Sequence, residues 1–276
     1  MPAATDLKGR TAVITGAASG IGRAIAISLA RRGANLALAD LDTARLAETE
    51  QLLPRGPHGP VKVSRHRLDV GDRDAVIAFP AEVLDEHAGV DVLVNNAGVA
   101  LGGSFEQVSE ADFEWLFAIN FWGVVRMTRA FLPTLKASDD ARIVNLSSIY
   151  GIVAPPGQTA YSASKFAVRG FSQSLAHELA GTSVGVTVVH PGGVATAIAR
   201  NARSAQSNTP EQIAAGQARA ARMLRLPPEI AGETIVGAIE RRQARVLVGT
   251  DARIVAALER VTPVGYWKLL SRLGSR

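Results

Sequence analysis

A tyrosine and a lysine four residues apart are the pair in this sequence best suited to moving a proton. Tyr161 and Lys165 lie in a predicted helix, so their side chains share one face, one turn apart. A phenol titrates near 10, too high for a base at neutral pH. Lowering that pKa to about 7 requires roughly 4 kcal/mol. An ammonium at about 4 Å supplies roughly that much at an effective dielectric near 20, so we expect Lys165 to lower the pKa of Tyr161.

Such a tyrosine suits redox chemistry at a carbonyl or alcohol. A carbonyl takes up a proton as hydride arrives, and an alcohol loses one when it is oxidised. Ser148 follows a predicted strand, and its hydroxyl can donate to the substrate oxygen and stabilise the developing charge. A serine in that position is equally typical of a turn or a cap.

A glycine-rich segment joins the first predicted strand to the first predicted helix. Gly16 permits a sharp turn, Gly20 lets the backbone approach a pyrophosphate, and Gly22 lets the helix pack closely on the strand. Phosphate oxygens would meet free N–H groups at the positive end of the helix dipole. Together with Ser19 and Ile21, these glycines are predicted to bind a dinucleotide. Glycines that merely end the strand are the alternative.

An acid at the end of the second predicted strand bears on the choice of cofactor. Asp40 is placed to accept hydrogen bonds from the adenosine ribose and to repel a 2′-phosphate. Leu41 follows it where a basic residue would favour NADP, so both residues are assigned to the cofactor site and NAD is predicted. Arg23 keeps NADP open as the alternative. Asp40 could instead cap the next helix, although Asp42 is also available.

These residues lie between elements that alternate along the chain. Strands and helices in strict alternation predict a single-domain α/β fold with a doubly wound parallel sheet of about seven strands and helices on both faces. The predicted strands are Thr11–Thr15, Asn35–Ala39, Val61–Leu68, Val90–Val94, Arg142–Leu146, Val184–Val189 and Arg245–Val248. The predicted helices are Ile21–Arg32, Thr43–Leu53, Asp72–His87, Glu110–Leu135 and Ala160–Leu179. Residues 54–60 are predicted to form a surface turn.

Composition narrows the class of protein. The chain has 276 residues and no cysteine, which excludes disulfides and thiolate metal sites, and no metal is expected. No signal peptide or membrane span is evident, so a cytoplasmic location is predicted. Residues 200–276 contain 13 Lys and Arg but only 6 Asp and Glu. We interpret this excess as solvated helix faces and expect no nucleic-acid binding, because aromatic stacking residues are not interleaved with it.

Taken together, the motifs resemble the short-chain dehydrogenase/reductase family over about residues 8–196. The resemblance rests on the segment 15–22, on Asn95–Gly98, Asn120, Ser148, Tyr161-x-x-x-Lys165 and Pro191–Gly192. It implies a Rossmann-type nucleotide-binding domain and a catalytic set of Asn120, Ser148, Tyr161 and Lys165. Asn120 would hold a water in a proton relay through Lys165.

The resemblance also assigns further cofactor contacts. Asp69 and Val70 resemble the pair at the adenine, and Asn96, Ala97 and Gly98 the segment on the adenosine side. Pro191, Gly192, Val194 and Thr196 resemble the segment that holds the nicotinamide carboxamide. Tyr161 and Lys165 would also contact the cofactor, and Ser148, Tyr150 and Tyr161 the substrate. A homodimer or homotetramer, built partly through the helices of Asn120 and Tyr161, is implied as well.

The substrate is predicted to be a lipophilic alcohol or ketone, such as a steroid, a terpenoid or a long-chain compound. The candidate pocket residues are apolar: Leu101, Phe105, Ile149, Tyr150, Ile152, Val153, Ile198, Met223 and Leu224. Residues 193–226 are predicted to form a lid over the substrate. An NADPH-dependent 3-oxoacyl reductase and a catalytically inactive nucleotide-sensing scaffold are the alternative functions.

The catalytic domain is predicted to span residues 1–250, followed by a helical extension over 251–276. In the extension Tyr266, Leu269, Leu270 and Leu273 form an apolar stripe flanked by Lys268 and Arg272. Packing on the body or on a neighbouring subunit is the preferred interpretation. Contact with a membrane surface is the alternative.

Overall fold

One parallel sheet of seven strands organises the protein, which is represented by a computed structural model that describes residues 4–54, 61–205 and 207–274, without the side chains of 273 and 274. The strands in chain order are β1 (Thr11–Thr15), β2 (Asn35–Asp40), β3 (Val63–Arg67), β4 (Val92–Asn95), β5 (Leu101–Gly102), β6 (Ala141–Leu146), β7 (Val184–Pro191), β8 (Arg203–Ser204) and β9 (Arg245–Val248). The large sheet has the order β3-β2-β1-β4-β6-β7-β9, while β5 and β8 pair separately. The predicted doubly wound α/β fold is confirmed.

Helices connect the strands and cover the sheet. Their bounds are α1 (Gly20–Arg31), α2 (Thr43–Gln51), α3 (Arg73–Glu86), α4 (Glu110–Phe117), α5 (Val124–Ala137), α6 (Thr159–Glu178), α7 (Pro210–Met223), α8 (Pro228–Glu240), α9 (Thr250–Val261) and α10 (Tyr266–Gly274). The single helix predicted over Glu110–Leu135 is divided between α4 and α5 by a π-helical segment, Ala118–Gly123. A surface turn was predicted at residues 54–60. Residues 55–60 lie outside the described part of the chain.

Successive residues of a strand face opposite sides of the sheet, and here both sides are apolar. On β1, Ile14 packs into the cluster beneath α1 and α8, while Val13 faces the cluster formed with α3 and α5. All five residues of β1 are buried. A strand covered on both faces has to be largely apolar, which is why the centre of β1 appears in the sequence as the apolar run Ala12–Ile14.

The strand order reverses at β1, whose neighbours are β2 on one side and β4 on the other. At such a reversal the connections leave in opposite directions and open a crevice at the carboxyl ends of the strands. Thr15, Asn95, Leu146 and Pro191 end four of the strands at this edge. The motifs singled out from the sequence therefore converge there.

The segment 193–226 contains a helix that the sequence did not predict. Helix α7 begins with a capping box between Thr209 and Gln212, and none of its fourteen residues, all of which the structure describes, is buried. Upstream of it, β8 pairs with β5 and holds the start of the segment beside Leu101. The helix consists mainly of alanine and polar residues, so its sequence resembles that of an exposed loop more than that of a helix on the core.

Two helices follow the last strand of the sheet. The Tyr266 hydroxyl of α10 accepts a hydrogen bond from the Ala154 backbone at 3.0 Å, and Tyr266 packs with Ile149 and Tyr150. The extension thus contacts the turn after β6 in the same chain. The side chain of Leu273 lies outside the described part.

Among the helices of the described ranges, none combines the length and the apolar character that crossing a bilayer requires.

At the edge of the sheet a serine hydroxyl joins two imidazoles. Ser64 Oγ on β3 lies 2.7 Å from Nε2 of His66 and 2.8 Å from Nε2 of His87, the residue that ends α3. Burial is the main cause that lowers the pKa of both histidines. Glu82 and Glu86 partly offset this effect for His66. For His87, the charge of Lys62 lowers the pKa further and Glu86 opposes it. The unfolded chain therefore binds more protons than the folded protein once the pH falls below about 6.5.

We expect the free energy of unfolding to fall as the pH is lowered from 7 to 5, because protons favour the unfolded chain. In His87→Gln an amide nitrogen takes the place of Nε2, so the contact with Ser64 is kept and one titration is removed. This variant should lose less stability than wild type over the same range in urea unfolding followed by circular dichroism. His177→Gln, at an exposed histidine, should behave like wild type; equal pH dependence in all three would contradict the assignment.

Candidate active site

The loop after β1 is fixed to the loop after β4 by side-chain hydrogen bonds. Thr15 Oγ1 accepts from the backbone N–H groups of Asn96 and Ala97, both at 3.1 Å. Asn96 Nδ2 donates in return to the carbonyl oxygens of Thr15 (2.9 Å) and Gly16 (3.1 Å). The two predicted cofactor segments therefore form one rigid edge. Gly98 ends this edge beside Asn120 and Lys165.

The start of α1 suits an anion. Gly16 and Gly20 have φ of +67° and +55°, which only glycine adopts without strain, and a Cβ at Gly22 would overlap the Gly16 carbonyl oxygen. Within the described chain, the side chain of Ser19 makes no capping hydrogen bond, and the first turn contains no acidic residue. Ile21 packs against the core. Open N–H groups and the helix dipole here fit the pyrophosphate of a dinucleotide.

At the ribose end, the carboxylate of Asp40 lies beside the glycine-rich loop. Asp40 Oδ2 accepts from the Ala18 backbone at 3.1 Å, and Leu41 beside it is more than half exposed. Asp42, not Asp40, caps α2. Asp40 is therefore left at the strand end as an acid that faces the loop.

Arg23, the residue that kept NADP open, is engaged elsewhere. Its guanidinium donates to Glu48 at 3.0 Å, to Thr49 at 2.9 Å and to the Ala18 carbonyl at 2.5 Å. These bonds tie α1 to α2 and occupy Nε and Nη2 of the guanidinium.

The residues assigned to the adenine follow β3. Asp69 Oδ1 accepts from the Gly71 backbone at 2.8 Å, which shapes the turn. Val70 is buried against Gly123 in the π-helical segment, where a Cβ on the glycine would lie 3.1 Å from Val70. This packing joins the predicted adenine end of the site to the helix that carries Asn120.

Tyr161 and Lys165 lie in the first two turns of α6, next to the carboxyl end of β6. Lys165 is buried, and its Nζ donates to the Leu146 carbonyl at 3.0 Å and lies 5.7 Å from the centre of the Tyr161 ring. The Ser147 hydroxyl donates to the Lys165 carbonyl at 2.8 Å and holds the start of the helix on the strand. The structure thus brings the predicted pair together on one side of α6.

The prediction that Lys165 lowers the pKa of Tyr161 is wrong for the protein alone. Burial raises the pKa of Tyr161 to about 12, and hydrogen bonding by Ser148 offsets only part of this rise. Burial also lowers the pKa of Lys165 to about 8. The loss of water around both groups outweighs the attraction expected between their charges.

Ser148 opens the short turn after β6 and faces the phenol of Tyr161. Its Oγ accepts from the Tyr150 backbone at 3.1 Å, so the serine both caps this turn and acts on the tyrosine. The ring of Tyr150 stands edge-on to that of Tyr161, with centres 6.1 Å apart. The capping role is therefore observed, and the role of Ser148 toward the substrate oxygen stays a prediction.

Asn120 is fully buried in the π-helical segment. Its Oδ1 accepts from the Val99 backbone at 2.8 Å, and its Nδ2 donates to the Val99 carbonyl at 2.9 Å and to Ser164 at 3.3 Å. A Cβ at Gly98 would lie 3.2 Å from Asn120 Oδ1 and 3.5 Å from Lys165 Nζ. The side-chain amide is thus committed to the backbone, and the water relay through Lys165 stays a prediction.

The segment assigned to the nicotinamide continues directly from β7. The Gly192 backbone donates to the Val248 carbonyl at 2.9 Å, and Val194 pairs with Leu226 at the end of the predicted lid. If Gly20 carried a Cβ, that atom would lie 3.0 Å from the methyl group of Thr196. This segment therefore lies against the phosphate loop.

Asp251 is a contact of this segment that the sequence did not reveal. Its Oδ2 accepts from the Gly193 backbone at 2.6 Å, and a Cβ at Gly192 would overlap its carboxylate. The Gly193 carbonyl accepts from the backbones of Arg225 and Leu226, both at 2.9 Å. Fifty-eight residues separate Asp251 from Gly193, and no local spacing could have related them.

Comparisons with known proteins agree with this geometry. The model of the family described as short chain dehydrogenase matches residues 10–207. The protein named oxidoreductase SadH from Mycobacterium tuberculosis is 44% identical over 269 residues, which cover 97% of this chain and 96% of SadH. The chain belongs to the short-chain dehydrogenase/reductase family. It is an oxidoreductase of alcohol and carbonyl groups that uses a nicotinamide cofactor.

Two solved structures of short-chain dehydrogenases/reductases resemble it closely. One from Burkholderia phymatum, in complex with NAD, is 34% identical with a TM-score of 0.84 and covers 93% of this chain and 94% of its own. A metagenomic short-chain oxidoreductase, in complex with NADP, is 30% identical with a TM-score of 0.71, covering 88% and 98%. The relatives thus bind either nucleotide.

Part of the pocket predicted for this short-chain dehydrogenase/reductase belongs to its core. Leu101, Ile152 and Val153 are buried, and they pack with other apolar side chains. Phe105 and Met223 are more than half exposed. The partly exposed members that remain are Ile149, Tyr150, Ile198 and Leu224. Apolar character alone could not separate core residues from pocket residues.

We expect Gly22→Ala to destabilise the fold by about 1–3 kcal/mol, because its Cβ meets the Gly16 carbonyl oxygen, and to abolish NADH binding. Gly170→Ala is the matched control, since a Cβ there meets nothing within 4 Å and the residue also lies in a helix. It should be neutral or stabilise by up to about 1 kcal/mol. Urea unfolding and NADH fluorescence measure both effects; equal stability of the two variants would contradict the role of Gly22.

Proposed function

We propose that this protein transfers a hydride between NAD(H) and a lipophilic secondary alcohol or ketone, with Tyr161 as the proton-transfer residue. The observation that carries the proposal is the placement of Ser148, Tyr161 and Lys165 beside the carboxyl end of β6. A catalytically inactive scaffold would not need a buried lysine next to a phenol. Burying an ammonium costs free energy that only a task for its charge explains.

The protein handles the proton in this reaction. Reduction needs a donor to the carbonyl oxygen, and the raised pKa of Tyr161 keeps its phenol protonated at neutral pH. Ser148 donates a hydrogen bond to the same oxygen while charge develops on it. Lys165, charged below its pKa of about 8, stabilises the phenolate left behind. When bound, the nicotinamide supplies the hydride or accepts it.

NAD is the proposed cofactor on the electrostatics of the ribose end. Asp40 places a carboxylate beside the loop, and Arg23 is bound to Glu48 and Thr49. A 2′-phosphate would therefore meet the negative charge of Asp40, while Arg23 is already paired with the carboxylate of Glu48. The NADPH-dependent 3-oxoacyl reductase is disfavoured on the same ground.

A lipophilic substrate is proposed from the partly exposed apolar surface around Tyr150. Ile149 belongs to the same apolar cluster as Tyr150, and Ile198 and Leu224 are partly exposed in the predicted lid segment. The charge of Arg219 on α7 acts on Tyr150, which supports α7 as the element that covers this surface. A closing segment of this kind excludes water from the reacting atoms.

We also propose a cytoplasmic homodimer or homotetramer. Trp122, in the segment of Asn120, and Phe166, in the helix of Tyr161, are 48% and 40% exposed. Large apolar side chains exposed on neighbouring helices are typical of subunit contacts. Light scattering after gel filtration would measure the assembly.

Replacement of Tyr161 by Phe tests the proposed chemistry. With NADH and a panel of steroid, retinoid and aliphatic ketones, kcat should fall by about two to four orders of magnitude, because the proton donor is lost. NADH affinity, measured by fluorescence, should change little. Tyr266→Phe removes a hydroxyl that binds the Ala154 backbone and leaves the reacting groups intact, so it should retain turnover. Surviving ketone reduction in Tyr161→Phe would reject the mechanism.

Replacement of Asp40 by Asn tests the choice of cofactor. The amide oxygen can still accept from Ala18 while the charge is lost, so the ratio of kcat/KM for NADH over NADPH should fall at least about tenfold. Asp42→Ser removes a carboxylate two residues away, keeps a capping oxygen and should leave the ratio unchanged. A wild-type preference for NADPH would overturn the assignment.

A further inference from the structure

A buried imidazole near the end of β7 has no part in the proton transfer described above. His190 is completely buried, one residue before the segment assigned to the nicotinamide. Its Nδ1 lies 2.9 Å from the carbonyl oxygen of Ser148. Its Nε2 is buried and has no hydrogen-bond partner among the described residues.

The contact with Ser148 fixes the tautomer of this imidazole. A carbonyl oxygen only accepts, so Nδ1 must carry the hydrogen and Nε2 is the unprotonated nitrogen. Burial lowers the pKa of His190 to about 4, and the positive charges of Arg169 on α6 and Arg245 on β9 act in the same direction. The imidazole is therefore a neutral, permanent donor at neutral pH.

The group that His190 holds is the turn that carries Ser148. The Ser148 carbonyl also accepts from the Gly151 backbone at 2.9 Å, and Arg169 donates to the Gly151 carbonyl at 3.3 Å. The first and last residues of the turn are therefore each held at the carbonyl oxygen by a side chain of another element, His190 of β7 and Arg169 of α6. The direction of the Ser148 side chain follows from the orientation of this backbone.

We propose that His190 is a positioning residue, which holds the Ser148 carbonyl so that the Ser148 hydroxyl faces Tyr161 and the substrate oxygen. This inference rests on the proposed function, because it assigns Ser148 a task in the reaction. A histidine that only filled the core would not require a donor at Nδ1.

Two replacements of His190 separate positioning from packing. In His190→Asn the amide nitrogen occupies the place of Nδ1, so the donor is kept, whereas His190→Leu fills the space without a donor. Each is made alone and combined with Ser148→Ala. The assay uses NADH and the panel ketone that wild type reduces fastest, from pH 5 to 10. Circular dichroism and NADH fluorescence show which variants fold and bind the cofactor.

We expect His190→Leu to lower kcat about 10- to 100-fold without changing the KM for NADH, and His190→Asn to restore most of the rate. Across this pH range, His190→Leu should have no further effect in the Ser148→Ala background. An equal loss with and without Ser148 would show a packing role and overturn the proposal.

A spectroscopic measurement keeps this test separate from that of the proposed function. If wild type reduces no ketone of the panel, the proposed function fails while the placement of His190 can still be examined. Long-range ¹H–¹⁵N spectra of histidine-labelled protein should show one neutral imidazole protonated at Nδ1 at pH 7, which is absent from His190→Leu. Protonation at Nε2 instead would overturn the inference whatever the activity.

Discussion

The loss of water around two ionisable groups is the constraint on which this site depends. Burial moves the pKa of Tyr161 to about 12 and that of Lys165 to about 8, so both groups are pushed toward their neutral forms. Each is then sensitive to any charge placed beside it, because a dry environment strengthens electrostatic interactions. The surrounding contacts serve to keep the pair in place: Leu146 holds the ammonium, Ser147 the helix, and Ser148 the phenol.

A rigid edge is required because these effects fall off with distance. Thr15 and Asn96 join the loops after β1 and β4, while Asp251 and Leu226 fix the segment that continues from β7. All of them are bonds to backbone groups, which have few conformations to lose. The cofactor half and the reacting half of the site are therefore parts of one framework.

How far the sequence predicted this arrangement depended on the range of the interaction. The centre of β1 is an apolar run, and the Tyr161–Lys165 pair is a spacing within one helix, so both were found. Asp251 acts on Gly193 from another element, so no local spacing relates them. Helix α7 consists mainly of alanine and polar residues, and its sequence resembled a loop. The sign of the Tyr161 pKa change was missed because desolvation depends on everything packed around a group. Composition does not record that packing.

Helix α7 has a consequence for how such an enzyme changes over evolutionary time. Because none of its residues, described in full, belongs to the core, replacements along it carry little penalty in folding free energy. The helix is nevertheless joined to the Gly193 loop through Arg225 and Leu226. If α7 covers the substrate as proposed, selection for a new substrate can act on this helix while the chemistry and the scaffold are inherited unchanged, so diversification need not compete with stability.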